Sequence, residues 1–195
     1  VDIHSHVLPG IDDGAQKIKD AEFLLESMID FGFSKVITTP HTMKNVWDNT
    51  TETIKNAHYL VQKELPELSK KVALNCASEY FLDENLIRLA QQEKLLSLKD
   101  NFILIEMSYL NAPIQLYDFL FELQLKGYQL VLAHPERYNY FHSNKKEFAK
   151  LKKAGCLFQL NLLATVGYYG KNVAETADYL LKENLYDFVG SDIHH

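Results

Sequence analysis

The sequence predicts an α/β protein in which seven strand–helix units form a TIM-like (β/α)7 barrel, one unit short of the eight-unit barrel. Apolar, β-branched stretches alternate with helical patterns along the chain. Several strands, such as residues 102–107 with FILIEM, are almost entirely apolar, which is typical of parallel strands covered by helices. The segment after the first strand, HSHVLPG, is not a glycine-rich phosphate loop. An open doubly wound sheet is therefore less favoured than a barrel.

The predicted elements follow one another without a linker or a low-complexity segment. The strands are residues 1–3, 35–39, 72–77, 102–107, 129–133, 157–162 and 187–190. The helices are residues 15–31, 51–64, 84–92, 113–126, 145–154 and 173–183. In the first helix, apolar residues from Ala21 to Ile29 follow the i, i+3, i+4, i+7, i+8 spacing of an amphipathic helix. Gly32, Gly127 and Gly155 mark helix ends, and a predicted strand follows each of them closely.

Length and composition predict one globular domain that comprises residues 1–195. Hydrophobic residues make up 47% of the chain and charged residues 24%, which are ordinary values for a globular protein. The last predicted strand ends in GSDIHH, and no helical pattern follows it. We therefore expect the domain to lack a C-terminal closing helix.

Charge, hydropathy and cysteine usage exclude several classes of protein. The net charge is −6 and the chain contains only two arginines, Arg88 and Arg137, so a nucleic-acid-binding surface is not expected. No apolar run reaches the roughly 20 residues that span a bilayer, so membrane insertion is not expected. Cys76 and Cys156 lie in apolar stretches without C-x-x-C spacing. We interpret them as buried core thiols in a reducing compartment, which predicts a cytoplasmic protein.

Ligand-type side chains stand at the C-terminal ends of six of the seven predicted strands. They are His4, His6 and Asp13 after the first strand, followed along the chain by His41, Glu79, Glu106, His134, Asp192 and His194. The sixth strand offers only Asn161. Because the C-terminal ends of parallel barrel strands meet at one face, where barrel enzymes build their sites, we expect these nine residues to converge.

Each of these features alone has an ordinary structural explanation. An isolated H-x-H pair such as His4 and His6 is more often two polar residues at a strand end than a pair of ligands. Glu106 is harder to explain in this way, because burying a carboxylate inside an apolar strand costs several kcal/mol unless it is paired or bound to a metal. The arrival of all nine at one edge favours a metal site.

Five imidazoles and four carboxylates are too many ligands for one ion, so the sequence predicts two or three divalent metals. Nitrogen and oxygen ligands without thiolate suit Mn²⁺, Fe²⁺, Zn²⁺ or Mg²⁺. Three such ions carry +6 and the four carboxylates −4, which leaves a local charge of +2 that favours a phosphate dianion. The reaction expected of such a centre is phosphomonoester hydrolysis, in which a metal-bridging hydroxide attacks phosphorus in line.

The motifs HSH, TTPH, SEY, IEMS, AHPERY and SDIHH occur in this order and resemble those of the polymerase-and-histidinol-phosphatase (PHP) superfamily. DIHSH followed by DDG, together with AHPERY, is most similar to its bacterial tyrosine-protein phosphatase branch, which is linked to capsular and exopolysaccharide export. The resemblance covers essentially the whole chain. It implies a distorted (β/α)7 barrel of the PHP type, Mn²⁺ dependence, and a phosphotyrosine protein as substrate, namely a bacterial tyrosine kinase.

The resemblance also implies a role for each candidate residue. The first metal would be held by His4, His6, Glu79 and Asp192, the second by the bridging Glu79 with Glu106 and His134, and the third by Asp13, His41 and His194. Whether Asp12 or Asp13 is the ligand is left open by the sequence IDDG. Arg137, His41 and His194 would be catalytic, with Arg137 as the phosphate-binding cation. The alternative for Arg137 is a salt bridge at the barrel rim.

The loops depart from this pattern or leave it open in two places. After the strand-two histidine, only Lys44 could supply the basic charge that some members carry there. Four tyrosines in predicted rim loops could stack on a phosphotyrosine ring or simply pack within their loops: Tyr109, Tyr138, Tyr168 and Tyr169.

Three functional hypotheses remain. The first is a metal-dependent protein-tyrosine phosphatase, the second a histidinol-phosphatase-like enzyme for small phosphomonoesters, and the third a non-catalytic PHP scaffold. A cysteine-based phosphatase is excluded, because a C-x5-R loop would need arginine at positions that hold Leu82 and Leu162. The DDG and ERY elements favour the first hypothesis.

Overall fold

The computed structural model describes residues 1–195, which form two compact units. The first comprises Val1–Glu79 and Ser191–His195, and the second Tyr80–Gly190. Parallel strands and α-helices build both units, so the predicted α/β fold is confirmed. No helix is long and apolar enough to cross a membrane.

The first unit contains a two-stranded parallel sheet. Its strands are β1 (Lys35–Thr38) and β3 (Ala73–Cys76), and between them along the chain lies the two-residue strand β2 (His41–Thr42). The helices are α1 (Ile18–Asp30), α2 (Thr51–Glu64) and α3 (Pro66–Lys71). The predicted first strand, residues 1–3, contributes only one isolated parallel bridge, from Asp2 to Val36. A second isolated parallel bridge, from Ser5 to Ile193, lies just beyond it.

Helix α1 begins three residues later than predicted, for a local reason. The Asp20 carboxylate accepts hydrogen bonds from the backbone N–H groups of Gln16 and Lys17, at 3.0 and 2.9 Å. These groups are therefore satisfied from within the first turn, and the helix starts at Ile18. The buried residues of the helix, Ala21 to Met28, lie on its predicted apolar face.

The second unit contains most strands of a separate, six-stranded sheet. Strand β4 (Glu79–Phe81) starts at the last residue of the first unit, and its neighbours follow in the spatial order β5 (Phe102–Glu106), β6 (Gln129–Ala133), β7 (Leu157–Asn161) and β8 (Phe188–Gly190). The helices are α4 (Glu84–Gln92), α5 (Leu116–Leu125), α6 (Asn139–His142), α7 (Lys146–Lys153) and α8 (Lys171–Lys182). The core of this unit is centred on fully buried residues such as Ile103, Leu130, Phe148 and Phe158.

The elements that were not predicted are all short. Strands β2 and β4 have two and three residues, too few to display a period of two. Helices α3 and α6, of six and four residues, are shorter than an amphipathic pattern. One cysteine prediction is wrong: Cys156 is buried, whereas Cys76, the last residue of β3, is only half-buried. The single domain of residues 1–195, without a closing helix, stays a prediction.

Candidate metal centre

Seven of the nine predicted ligand residues lie together in the first unit. They are His4, His6, Asp13, His41, Glu79, Asp192 and His194. His4 and His6 stand on either side of the bridge residue Ser5 in the N-terminal stretch. His41 and Glu79 begin β2 and β4, and Asp192 and His194 lie in the C-terminal segment. Nearly two hundred residues of chain therefore separate ligand atoms that are neighbours in space.

Four of these side chains form a buried cluster around the imidazole of His4. His4 Nε2 lies 3.2 Å from each of three atoms: His6 Nε2, Glu79 Oε2 and Asp192 Oδ1. His6 Nε2 lies 3.6 Å from the Glu79 oxygen and 3.4 Å from the Asp192 oxygen. All four side chains are almost completely buried.

The donor chemistry of this cluster fits a divalent cation. A single N–H of His4 cannot be donated to three acceptors at once, and two carboxylate oxygens beside two imidazole nitrogens form a site that is rich in lone pairs. Ligand atoms around a metal at 2.0–2.2 Å are separated by about 3.0 Å in an octahedron and about 3.4 Å in a tetrahedron. The three separations among the ligand atoms of His4, His6 and Asp192, which are 3.2, 3.2 and 3.4 Å, lie close to these edge lengths.

Asp12 faces the outer nitrogen of His6 and so differs in position from Asp13. Its Oδ2 accepts a hydrogen bond from His6 Nδ1 at 2.8 Å and one from the backbone N–H of His41 at 3.2 Å, while Oδ1 accepts from Gly14 N at 2.9 Å. With the proton on Nδ1, the Nε2 lone pair of His6 points into the cluster. Burial alone would raise the pKa of Asp12, but the hydrogen bond and charge of His6 outweigh it and lower this pKa.

The pKa of His6 is raised for the complementary reason. Burial disfavours the imidazolium form, yet the hydrogen bonds with Asp12 and Asp192 have the larger combined effect. Gly14 makes this arrangement sterically possible, because a Cβ at this position would collide with the carbonyl oxygen and Cβ of His6. The glycine of IDDG therefore lets the loop pack closely against His6 and brings Asp12 to it.

Asp13 belongs to a second cluster with His41 and His194. Its Oδ1 lies 3.4 Å from the Nε2 atoms of both histidines, and these groups together with His6 have ligand atoms within 4.8 Å of one another. His194 Nδ1 donates to the backbone carbonyl of Asp192 at 2.9 Å, which leaves Nε2 as the ring nitrogen that faces Asp13. Hydrogen bonds from His194 and His41 hold the pKa of Asp13 well below its usual range.

The two clusters differ in their access to solvent. The Asp13 side chain is 53% exposed, and His41 and His194 are partly exposed, whereas His4, His6 and Glu79 are fully buried. His41 Nδ1 also lies 3.1 Å from Glu79 Oε2, which links the two clusters. The exposed cluster is therefore the side of the centre that a substrate in solution can reach.

Asp2, which was not predicted, holds the C-terminal segment in place. Its carboxylate accepts hydrogen bonds from the backbone N–H and the hydroxyl of Ser191, at 2.8 and 2.7 Å. The next residue, Asp192, has a left-handed φ of 54° and donates its N–H to the His4 carbonyl at 2.7 Å. Burial raises the pKa of Asp2. The only signal for this role in the sequence is a charged residue inside a short apolar strand.

The remaining predicted site residues lie in the second unit. Glu106 ends β5, His134 follows β6 with a left-handed φ of 35°, and both are buried. Because β5 and β6 pair in parallel, with Ile105 opposite Leu132, the two residues are at the same end of the sheet. Arg137 follows in a short 3₁₀ turn, and its guanidinium lies over the rings of Tyr109 and Tyr169, with Cζ 4.8 and 4.3 Å from the ring centroids.

The neighbour of Arg137, Glu136, was not predicted either. It is fully buried, and its carboxylate accepts hydrogen bonds from Asn161 N and the Tyr186 hydroxyl, both at 2.8 Å. Burial raises the pKa of Glu136 to about 7. It fixes the 3₁₀ turn that carries Arg137.

The structure shows different surroundings for the loop residues whose role the sequence did not decide. Tyr138 is completely buried and its hydroxyl accepts a hydrogen bond from Met107 N at 2.9 Å, so Tyr138 packs in the core and cannot stack on a substrate. Tyr168 is exposed, while Tyr109 and Tyr169 contact Arg137. Lys44 is exposed, and its Nζ lies 3.8 Å from Asp48 Oδ1.

Comparisons with known proteins identify close relatives along the whole chain. A family model described as "Capsular polysaccharide synthesis, CpsB/CapC" matches residues 1–195. The tyrosine-protein phosphatase YwqE of Bacillus subtilis is 30% identical over 195 residues, which are 100% of this chain and 77% of YwqE. The tyrosine-protein phosphatase CpsB of Streptococcus pneumoniae is 26% identical over 200 residues, covering 100% of this chain and 82% of CpsB.

Solved structures agree with these relatives. A crystal structure from work on YwqE of B. subtilis and CpsB of S. pneumoniae, described there as unique metal-dependent tyrosine phosphatases, matches with a TM-score of 0.92 at 30% identity. The match covers 100% of this chain and 79% of the solved one. A lactonase from Listeria monocytogenes matches with a TM-score of 0.59 at 12% identity, covering 98% of this chain and 77% of the lactonase, and shares the fold alone.

Proposed function

Since this chain belongs to the CpsB/CapC family of capsular polysaccharide synthesis, we propose that it is a metal-dependent phosphatase that hydrolyses phosphotyrosine on proteins. The observation that carries the proposal is the buried group of His4, His6 and Asp192, whose ligand atoms lie 3.2–3.4 Å from one another, as around a divalent metal. Glu79 Oε2 lies 3.2 Å from His4 Nε2. The relatives named as tyrosine-protein phosphatases, which match over the whole of this chain, support the choice of substrate.

Two groups of residues in the first unit would hold the metals. We assign His4, His6, Glu79 and Asp192 to one ion and Asp13, His41 and His194 to another, with Asp13 rather than Asp12 as the ligand. Divalent ions, when bound, supply Lewis acidity towards a phosphate oxygen and lower the pKa of a coordinated water. Nitrogen and oxygen ligands without thiolate suit Mn²⁺, Fe²⁺, Zn²⁺ or Mg²⁺, and we propose Mn²⁺ because the family resemblance implies it.

The protein's own groups prepare this chemistry. Asp12 keeps the proton of His6 on Nδ1, so that Nε2 is available as a ligand, and Asp2 fixes the segment that carries Asp192. Asp13, His41 and His194, the more exposed residues, would meet the phosphate group first. Glu106 and His134 as further ligands, and Arg137 as the phosphate-binding cation, stay predictions from the family resemblance.

The substrate we propose is a phosphotyrosine protein, in particular a bacterial tyrosine kinase, and the proposed location is the cytoplasm. A phosphotyrosine dianion suits a site in which divalent cations outweigh the carboxylates. The experiment described next also tests the histidinol-phosphatase and scaffold hypotheses.

The decisive experiment compares two substrates after the metal has been exchanged. Purified protein is chelated, refilled with Mn²⁺ and assayed on a phosphotyrosine peptide and on histidinol phosphate. We expect hydrolysis of the peptide with a kcat/KM at least about tenfold higher, a difference of about 1.4 kcal/mol in barrier. Hydrolysis of neither substrate would exclude the phosphatase, and the reverse preference would favour the small-molecule enzyme.

Matched histidine variants test the site itself. His6→Ala should abolish both metal occupancy and turnover, because it removes a buried ligand and leaves Asp12 without its partner. His58→Ala is the control, since His58 lies in α2 and its Nε2 contacts the Leu74 carbonyl at 3.0 Å. Arg137→Ala should retain the metal but turn over more slowly, and full activity of this variant would show that its assigned role is wrong.

A further inference from the structure

Two uncharged segments of the second unit flank Arg137. The first, residues 107–115 with sequence MSYLNAPIQ, connects β5 to α5, and the second, residues 162–170 with sequence LLATVGYYG, connects β7 to α8. Tyr109 of the first segment and Tyr169 of the second both contact the Arg137 guanidinium. The two segments are therefore parts of one surface, with Arg137 between them.

This surface is unusually apolar for the outside of a protein in which 24% of residues are charged. In the first segment the side chains of Leu110 and Ile114 are 88% and 98% exposed. In the second, Val166 is 77% and Tyr168 66% exposed. Apolar side chains that are grouped and exposed to this extent mark a site of interaction.

Both segments are held by specific contacts. The Tyr140 hydroxyl donates to the Ser108 carbonyl at 3.0 Å, and Tyr109 stacks on Tyr138 with ring centroids 5.8 Å apart. Asn161 Nδ2 donates to the Tyr169 hydroxyl at 3.1 Å, and the rings of Tyr168 and Tyr169 meet edge to face at 5.0 Å. A surface that is already ordered loses little conformational entropy when a ligand binds.

We infer that residues 107–115 and 162–170 form a docking surface for uncharged, apolar residues that flank the phosphotyrosine of a protein substrate. The inference rests on the proposed function and extends it to substrate preference. Apolar flanks would bury surface against Leu110, Ile114 and Val166. Acidic flanks would lose hydration there, since neither segment has a charged residue and Arg137, the cation between them, is the one assigned to the phosphate group. Anionic membranes fit less well, because neither segment contains a lysine or arginine.

Two peptides of equal length test the preference. Both carry one phosphotyrosine, flanked in one by Leu, Ile and Tyr and in the other by Asp and Glu. With Mn²⁺-loaded protein we expect kcat/KM to be about tenfold higher for the apolar peptide, mainly through KM, as for other discriminations by apolar contacts. 4-Nitrophenyl phosphate, which has no flanking residues, serves as the reference substrate.

The variant Leu110→Asp/Val166→Asp tests the surface. Its ratio of kcat/KM on the apolar peptide to that on 4-nitrophenyl phosphate should fall about tenfold. The control is Leu125→Asp, an exposed leucine at the opposite end of α5, which should keep the wild-type ratio. Circular dichroism and a thermal melt establish that both variants fold.

Each possible result either supports or overturns the docking surface. Equal rates on the two peptides, or an unchanged ratio in Leu110→Asp/Val166→Asp, would overturn the docking surface while hydrolysis of 4-nitrophenyl phosphate keeps the phosphatase standing. Absence of hydrolysis of every substrate would remove the proposed function and the docking surface with it. Sedimentation of wild-type protein, but not of the variant, with phosphatidylglycerol vesicles would assign the surface to membranes instead.

Discussion

Asp12 and Asp2 lie next to the ligand cluster, and each holds a part of it through several hydrogen bonds. Asp12 bonds to His6 Nδ1 and to the backbone of the loop, and Asp2 bonds to Ser191 beside Asp192. Both are buried carboxylates that accept several hydrogen bonds. At Asp12 the bonds outweigh burial and lower the pKa, whereas at Asp2 burial has the larger effect and raises the pKa. At the scale of single residues, the site therefore depends on side chains that do not face its centre.

Asp12→Asn provides a direct test of this dependence. The amide is almost isosteric, but its NH2 group can face His6 and favour the tautomer with the lone pair on Nδ1 instead of Nε2. We expect Mn²⁺ affinity to fall about 10- to 100-fold while the fold is retained. Isothermal titration calorimetry of the chelated protein measures this, with wild type as reference. Unchanged affinity would contradict the positioning role.

The two thiols should differ in reactivity. Burial raises the pKa of Cys156 to about 12, while Cys76 is half-buried and burial raises its pKa as well. Because the thiolate is the reactive form, we expect Cys76 to react slowly with Ellman's reagent at pH 8 and Cys156 to react only after unfolding. Cys76→Ser should remove the native reaction and Cys156→Ser should leave it. Loss of the native reaction in Cys156→Ser would reverse the assignment.

At the scale of elements, a helix starts most predictably where a side chain caps its first turn. Helices α2 and α4 have the predicted bounds, and each is preceded by a residue whose side chain caps the first turn, Thr50 and Asp83 respectively. Helix α5 starts three residues after the predicted position, and its N-cap, Gln115, makes no side-chain cap hydrogen bond. A polar cap in the sequence thus determines a helix start more sharply than an apolar pattern does.

Asp83→Ala measures the contribution of one cap. The Asp83 carboxylate accepts a hydrogen bond from Leu86 N at 2.9 Å, and its removal should lower the free energy of unfolding by about 1 kcal/mol. Urea unfolding gives this value. Asp30→Ala is the control, because Asp30 is exposed at the C-terminal end of α1, where a negative charge does not stabilise the helix. An equal loss in both variants would rule out a specific cap.

At the scale of the whole molecule, both ends of the chain belong to the first unit, and residues 80–190 form the second. If residues 1–195 are one domain, as the sequence predicts, unfolding should be a single cooperative transition. Trp47 is the only tryptophan and lies in the first unit, so its fluorescence reports on that unit, while far-UV circular dichroism reports on all helices. Coincident urea transitions are expected, and two separate midpoints would indicate two domains.

Metal binding should stabilise the folded protein. The clustered ligands exist only in the folded state, so Mn²⁺ at about 100 times its dissociation constant should add about 2.7 kcal/mol. Thermal melts of chelated and refilled protein measure the shift. His58→Ala should show the same increase and His6→Ala a much smaller one. An equal increase in His6→Ala would place the stabilising metal elsewhere.

Much of the architecture could be predicted from the sequence because it depends on local patterns. Strand β6 and helices α2 and α4 were predicted to the residue. The nine ligand-type residues were predicted from their position after apolar strands, and seven of them lie together in the first unit. The short strands β2 and β4 carry too few residues for a period to show. The burial of Tyr138 could not be predicted either, because the sequence does not distinguish a tyrosine that packs in the core from one exposed in a loop.

The sequence by itself determined the α/β class, the family and the residue types of the centre, since these follow from periodicity, spacing and motif. Only the tertiary structure distinguished the two aspartates of IDDG, placing Asp12 on His6 Nδ1 and Asp13 with His41 and His194. Adjacent residues have the same sequence context, and what separates them is contact: Asp12 meets His6, six positions away, whereas Asp13 meets His41 and His194, 28 and 181 positions away along the chain. The same holds for Arg137, whose two tyrosine neighbours come from different loops and meet only once the sheet has formed.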